Sequence, residues 1–239
     1  MAEYIKVYPT AGLTERTKET YWNAFRDYLL ADEDVSAQFD ISECYQVVTD
    51  HFGFKISPKN IGNDTGLSFG GRTDGESCNI RAHFKGTPDN LYNFVSTYNF
   101  TTDVPLILIK DEGLILFAFG SIYSAVMFAD LTNTYSGQTI NYIFSVSGSS
   151  TYRINYARTG NSYSSFSPIF NTANVYEHYI LYPFIINNGF THKSIYVYDG
   201  GEVELEPGVW LIGNHKFAAS GLYADSSHPR GGRILIRLD

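Results

Sequence analysis

Cysteine is scarce in this chain, with only Cys44 and Cys78 among 239 residues. Two cysteines are too few for a disulfide framework or a four-cysteine zinc site. Two buried free thiols and a single disulfide bridge are both compatible with this count. The six histidines show no H-x-H or H-E-x-x-H spacing, so we expect no metal site and no other cofactor.

Charge is also sparse, since Asp, Glu, Lys and Arg make up 18% of the residues and the net charge is −8. Proteins that bind nucleic acids need clustered basic side chains for the phosphates, and this acidic balance argues against that class of partner. A hydrophobic content of 44% excludes a disordered chain.

Long hydrophobic runs are absent as well. The longest uncharged apolar stretch, 114–129, falls short of the roughly 20 residues of a membrane-spanning helix, and Gly120, Ser121 and Ser124 interrupt it. We therefore expect no membrane span. The opening MAEYIK has neither a basic nor an apolar segment, so we predict no signal peptide and synthesis in a cytoplasm.

Aromatic residues, by contrast, are abundant: there are 19 Tyr and 17 Phe, types that favour strands. From Ile41 onward, short β-branched or aromatic runs alternate with clusters of Gly, Asn, Asp, Ser and Pro. The sequence KDEG at 110–113 predicts a hairpin in which Gly113 takes a positive φ. We predict a mainly β fold: an antiparallel β-sandwich or stacked sheets with one N-terminal α-helix.

That helix is predicted to begin at Thr14, as its N-cap, and to end near Ala31. Its apolar residues recur on one face, which we call the aromatic stripe; the stripe consists of Tyr21, Trp22, Phe25, Tyr28 and Leu29. The stripe is expected either to pack against its own domain or to bind a partner. The acidic residues 32–34 are expected to form a solvated turn.

The composition changes along the chain and predicts three regions. Residues 1–40 form a strand and a helix that can serve as an assembly arm, 41–176 a β-sandwich body, and 177–239 a C-terminal β region.

Within 131–176 the only charged residues are arginines, among many Tyr, Ser, Asn, Thr and Gly. Such a composition suits an adhesive surface or an ordinary β-meander with polar turns. The interface candidates are four residues of the aromatic stripe, Tyr21, Trp22, Phe25 and Leu29, together with Tyr142, Tyr152 and Tyr156.

One motif points to an enzyme. The sequence GLSFG at 66–70 satisfies the G-x-S-x-G spacing of a hydrolase nucleophile elbow, with Ser68 as the nucleophile. The elbow requires a strand before the serine and a helix after it, whereas both flanks here are rich in polar residues and glycine. We expect a glycine-rich loop, a non-catalytic Ser68 and no enzymatic activity.

Both ends of the chain carry distinctive blocks. The C-terminal part contains SIYVYDGG at 194–201, PGVWLIG at 207–213 and GRILIRLD at 232–239, and the chain opens with a short strand, the turn 9–14 and a helix. These ends resemble virion structural proteins of tailed bacteriophages. The resemblance implies a tail, baseplate or capsid-associated component of the virion. Such a component acts by self-assembly and by docking to other virion proteins. The alternative is an adhesive module of the virion that binds a receptor or a host surface glycan.

Overall fold

The computed structural model describes residues 1–15, 17–43, 51–59, 66–72, 78–84, 87–96, 105–119, 125–147, 153–158, 164–165, 174–176, 179–186, 189–199, 205, 208–223 and 233–239. Within these residues the chain forms 18 strands and two helices. The predicted mainly β, antiparallel character is confirmed.

The elements are, in chain order, β1 (Glu3–Val7), α1 (Lys18–Ala31), α2 (Glu33–Gln38), β2 (Phe39–Glu43), β3 (His51–Pro58), β4 (Gly66–Arg72), β5 (Cys78–Phe84), β6 (Thr87–Ser96), β7 (Leu106–Asp111), β8 (Leu114–Phe119), β9 (Ala125–Asn133), β10 (Thr139–Ser147), β11 (Arg153–Arg158), β12 (Ser164–Ser165), β13 (Asn174–Tyr176), β14 (Tyr179–Ile186), β15 (Phe190–Asp199), β16 (Gly208–Ile212), β17 (His215–Tyr223) and β18 (Arg233–Arg237).

The chain divides into two compact units. The first comprises Met1–Lys6, Ile107–Arg158 and Ser162–Asp239, and the second comprises Val7–Leu106 and Thr159–Asn161. The predicted boundaries at residues 40 and 176 do not coincide with this division. Helix α1 shares the second unit with strands β3 and β4, because it packs against both of them.

The second unit contains a five-stranded antiparallel sheet in the order β2-β3-β4-β5-β6. Helix α1 ends at Ala31 as predicted, but its N-cap is Thr17 and not Thr14. The side chain of Thr17 accepts a hydrogen bond from the backbone N of Thr20 at 3.1 Å, and Thr20 Oγ1 accepts one in return from the backbone N of Thr17 at 2.8 Å. This reciprocal pair satisfies two backbone donors at the helix start.

The acidic residues after α1 do not form the solvated turn that the sequence predicts. Asp32 is the N-cap of α2, and its Oδ1 accepts hydrogen bonds from the backbone N of Asp34 and of Val35, both at 3.1 Å. Glu33 and Asp34 then lie in the first turn of α2, where the helix dipole favours negative charge. The same acids are unfavourable after one helix and favourable before the next.

The first unit contains a 13-stranded sheet. Its main path runs β1-β7-β8-β9-β15-β18-β17-β16; β10, β11 and β12 continue from β9, and β14 and β13 continue from β15. The hairpin between β7 and β8 is formed as predicted, with Gly113 at φ 68°. Strand β17 contacts β8 and β9, so strands that are distant in the path face each other.

An apolar cluster fills the space between these strands. Its members come from β7, β8, β9 and β10 on one side and from β14, β15, β17 and β18 on the other; examples are Leu116, Met127, Phe184, Val197 and Ile236. A second cluster lies on the opposite face of β14 to β18 and includes Leu181, Tyr198, Phe217 and Leu235. Strands β14, β15, β17 and β18 therefore contribute buried apolar side chains on both faces.

Candidate functional site

The aromatic stripe of α1 lies inside the second unit. Tyr21, Trp22, Phe25 and Leu29 are each 0 to 1% exposed. The ring centroids of Phe25 and Phe54 are 5.2 Å apart in an edge-to-face arrangement, and those of Trp22 and Phe54 are 6.4 Å apart. Because Phe54 belongs to β3, the stripe packs against the sheet of its own unit. The structure corrects the assignment of these four residues to an interface.

The three tyrosines proposed from the 131–176 segment have different positions. Tyr142 is 4% exposed and packs in the main core, with its ring centroid 5.8 Å from that of Phe190. This burial corrects its assignment as an interface residue. Tyr152 lies outside the described residues, and so does the side chain of Tyr156, whose backbone pairs with Phe144 across β10 and β11.

Among the described tyrosines of this segment, an exposed one is Tyr135, which the prediction omitted. Tyr135 is 88% exposed on the turn between β9 and β10. Asn133 Oδ1 fixes that turn by accepting hydrogen bonds from the backbone N of Tyr135 and of Ser136, both at 2.9 Å. Gly189 lies so close that a Cβ there would stand 2.7 Å from the Tyr135 ring. The sequence signal was the N-T-Y-S-G turn, where Asn accepts backbone hydrogen bonds two and three residues ahead.

The motif around Ser68 forms a strand. Residues Gly66–Arg72 constitute β4, and Ser68 pairs with Lys55 on β3 and with Arg81 on β5. The predicted glycine-rich loop is wrong, since pairing on both edges outweighs the low strand preference of glycine. A nucleophile elbow needs a strand-to-helix turn at the serine, and Ser68 sits within a continuous strand.

A buried polar network joins β15 to the hairpin of β7 and β8. The hydroxyl of Ser194 donates to Asp111 Oδ2 at 2.5 Å, and the ring of His192 lies 3.1 Å from the backbone O of Glu112 through Nε2. The backbone N of Ser194 donates to His192 Nδ1 at 3.2 Å. His192 and Ser194 are both buried.

These contacts determine what the network does chemically. Nδ1 of His192 accepts a hydrogen bond, so the ring hydrogen resides on Nε2 and is donated to the Glu112 carbonyl. The Ser194 hydroxyl is bonded to a carboxylate and not to the imidazole, which leaves no nucleophile and base in contact. The network links the β7–β8 hairpin to β15 through hydrogen bonds and stabilises that contact.

A second polar group, which we call the C-terminal polar cluster, consists of His215, Arg237 and Asp239. Arg237 donates from Nε to Asp239 Oδ1 at 2.9 Å and from Nη2 to His215 Nδ1 at 2.8 Å. The backbone N of Lys216 donates to Asp239 Oδ2 at 3.2 Å. The hydrogen bond from Arg237 holds the pKa of Asp239 below its usual value, and the same bond raises the pKa of Arg237. The cluster is partly exposed.

Aromatic rings lie beside this cluster. Arg237 pairs with Phe217 across β17 and β18, and the rings of Phe217 and Tyr196 meet edge to face at 5.5 Å. Trp210 pairs with Phe217 across β16 and β17. Tyr196 and Trp210 are both partly exposed. This face therefore presents aromatic surface together with hydrogen-bond donors and acceptors.

Strand β16 ends the path of the main sheet. Within the described residues it pairs with β17 and with no other strand. Its sequence, GVWLI, carries no charge, and Val209 and Leu211 are 49% and 68% exposed. Edge strands are usually protected by charged residues, prolines or bulges. An uncharged edge with exposed aliphatic side chains is a candidate site of strand pairing with another chain.

Other kinds of site find no support in the part of the chain that the structure describes. No group of three or more His, Cys, Asp or Glu side chains there is arranged to hold a metal ion. None of the described helices has the length and apolar character to cross a membrane. A scan against protein-family models, a search of curated proteins and a search of solved structures each find no match to this chain.

Proposed function

We propose that this chain is a structural component of a bacteriophage virion, of the tail, baseplate or capsid-associated type. It acts by docking to other copies of itself and to other virion proteins. The observation that supports docking is the exposed aliphatic edge of β16, formed by Val209 and Leu211. The virion assignment is supported by the resemblance of the two ends of the chain, and the block PGVWLIG that carries part of it contains β16 itself.

The scaffold behind this edge suits a docking role. We propose that the first unit is a β-sandwich, with β7 to β10 in one layer and β14, β15, β17 and β18 in the other, because the main core draws side chains from both groups. Apolar packing on both faces of β14, β15, β17 and β18 restrains β17, the strand with which β16 pairs. A rigid edge loses little conformational entropy when it binds.

The polar clusters of the first unit support this proposal over a catalytic one. In the buried network, the Ser194 hydroxyl and both ring nitrogens of His192 are bonded to neighbouring protein groups. In the C-terminal polar cluster, the carboxylate of Asp239 is bonded to Arg237 and to the backbone of Lys216. These groups are hydrogen-bonded within the fold, whereas Val209 and Leu211 are 49% and 68% exposed.

Electron microscopy tests the virion assignment. An antibody against the purified chain, detected with gold, is applied to phage particles from the host that carries the sequence. We expect label at one structural position on intact particles. The assignment is overturned if the chain is abundant in the lysate and absent from purified particles by both labelling and mass spectrometry.

The adhesive alternative has an observation of its own. Tyr196 and Trp210 offer partly exposed rings beside the hydrogen-bonding groups of Arg237 and Asp239, a combination suited to the apolar face and the hydroxyl groups of a sugar. A glycan array probed with the parent chain and with Trp210→Ala tests this function. Tyr135→Ala is the control, since it removes an exposed ring from a different turn. Glycan binding by the parent chain that is lost in Trp210→Ala and retained in Tyr135→Ala favours the adhesive module. If the parent chain binds no glycan, the adhesive alternative is rejected.

A further inference from the structure

We propose that the edge of β16 with which no other described strand pairs forms an antiparallel pair with β16 of a second copy of this chain, across a two-fold axis at Trp210. This inference rests on the proposed docking function and names its partner. The pairing joins the two main sheets edge to edge and brings the exposed aliphatic side chains of both copies together on one face.

The hairpin of β16 and β17 determines which backbone groups face outward. Ile212 and His215 flank the two-residue turn 213–214, and residues in that position form a hydrogen-bonded pair. Hydrogen-bonded pairs alternate along an antiparallel ladder, so Gly208, Trp210 and Ile212 bond to β17. The N–H and C=O groups of Val209 and Leu211 therefore point away from β17, along the free edge.

These outward groups match those of a second β16. With Trp210 facing Trp210 of the partner copy, Val209 of each copy lies opposite Leu211 of the other. Each of those two pairs exchanges an N–H and a C=O in both directions, so every outward group finds a partner. Opposite residues in a ladder share a face, so Val209 and Leu211 of both copies form one contiguous apolar cluster.

The charges of the two ends of the sheet favour a second copy as the occupant. Strand β1, at the other end of the path, carries Glu3 and Lys6, both exposed, in the usual manner of a protected edge. Strand β16 has no charged residue, so its own copy meets no like charge in the paired strands. A charged partner strand would find no opposite charge on β16, whereas a second β16 matches it in length, register and apolar character.

Disulfide trapping tests the register. Val209→Cys and Leu211→Cys are made separately; both side chains are exposed, so the fold is retained. In the proposed register the two cysteines of a mixed pair have Cα atoms about 5.5 Å apart, within the range of a disulfide. In either variant alone the two cysteines are offset by two residues along each strand, which places their Cα atoms beyond about 7 Å.

We expect the mixture to give a disulfide-linked dimer under mild oxidation, at a yield about tenfold above that of either variant alone, given this geometric limit. Trp210→Cys alone should also form the dimer, because its position lies on the axis. The parent chain is oxidised in parallel as a control for any disulfide-linked dimer formed through Cys44 or Cys78. Equal yields from the mixture and from the single variants, or no dimer from any of them, would overturn the pairing.

Val209→Pro separates this inference from the proposed function. The substitution removes an outward N–H from each copy and none of the hydrogen bonds to β17, so the dimer dissociation constant should rise about tenfold while the thermal midpoint stays near that of the parent. If the trapped dimer forms in solution but the chain is absent from particles, the virion function fails and the pairing stands. If the chain is in particles and Val209→Pro and the cysteine pairs show no effect, the pairing fails and the function stands.

Discussion

The aromatic stripe of α1 and the edge strand β16 have similar sequence character and opposite surroundings. Both present large apolar side chains in a regular pattern, and both qualify as docking surfaces on that basis. In the structure the stripe is covered by Phe54 and its sheet, whereas Val209 and Leu211 remain in water. The sequence pattern identifies apolar side chains that are more stable when buried. It does not identify the part of the same chain, or of another chain, that buries them.

Truncation of the aromatic stripe should cause the largest loss in the free energy of unfolding. Trp22→Ala removes a fully buried ring and should lower the free energy of unfolding by about 3 to 5 kcal/mol, because the surrounding side chains cannot close the cavity. Urea denaturation measures this loss. Leu30→Ala on the exposed side of α1 is the control and should change it by less than about 1 kcal/mol. A stable Trp22→Ala chain that fails to assemble would restore the stripe as an interface.

Removal of the Ser194 hydroxyl should cause the next largest loss of stability. Ser194→Ala removes the donor to Oδ2 of Asp111, whose side chain is 5% exposed, and an unsatisfied buried acceptor costs about 1 to 3 kcal/mol. The change is measured by urea denaturation. Ser136→Ala removes only one exposed hydrogen bond, from the backbone N of Gln138 at 3.3 Å, and should alter stability by no more than about 0.5 kcal/mol. Equal effects of the two substitutions would show that the network does not fasten the hairpin to β15.

The N-cap of α1 contributes less. Thr17→Ala should destabilise the second unit by about 1 kcal/mol, because the backbone N of Thr20 loses its acceptor. Thr14→Ala, at the cap position that the sequence predicted, should have almost no effect. Thermal unfolding of both variants compares them directly, and a larger loss for Thr14→Ala would contradict the capping box at Thr17.

The smallest effect is a pH dependence at the C-terminal polar cluster. The pKa of Asp239 is lower in the folded chain than in the unfolded one, so its contribution to stability is present above the unfolded pKa of about 4 and is lost as pH falls through the folded value. Asp239→Asn should therefore reduce stability slightly at neutral pH and not at acid pH. Thermal midpoints across a pH series measure it; a deficit that grows toward acid pH would reverse the sign.

Local patterns predicted the features that depend on neighbouring residues. The end of α1 at Ala31 and the hairpin at Gly113 follow from periodicity and turn chemistry, and both are confirmed. Thr17 was missed because Thr20, and not Glu or Gln, completes its capping box. Asp32 was misassigned because an acid after one helix is also the N-cap of the next.

Long-range pairing decided the features that sequence could not predict. Strand β4 resembles a loop in sequence, since three of its seven residues are glycine, and it is a strand because β3 and β5 pair with both edges. The position of β16 at an edge depends on β15 pairing with β18 and on β18 pairing with β17. No local signal distinguishes an edge strand of this composition from a central one.

Sedimentation equilibrium of the parent chain and of Leu211→Lys tests the docking account most directly. Leu211 is exposed, so a lysine there should leave the thermal midpoint unchanged while placing a charge in the paired edge of each copy. We predict that the mass of the parent rises with concentration from 26.8 kDa toward twice that value, and that Leu211→Lys stays at the monomer mass over the same range. A parent that remains monomeric throughout, or a variant that associates as strongly as the parent, would contradict docking through β16.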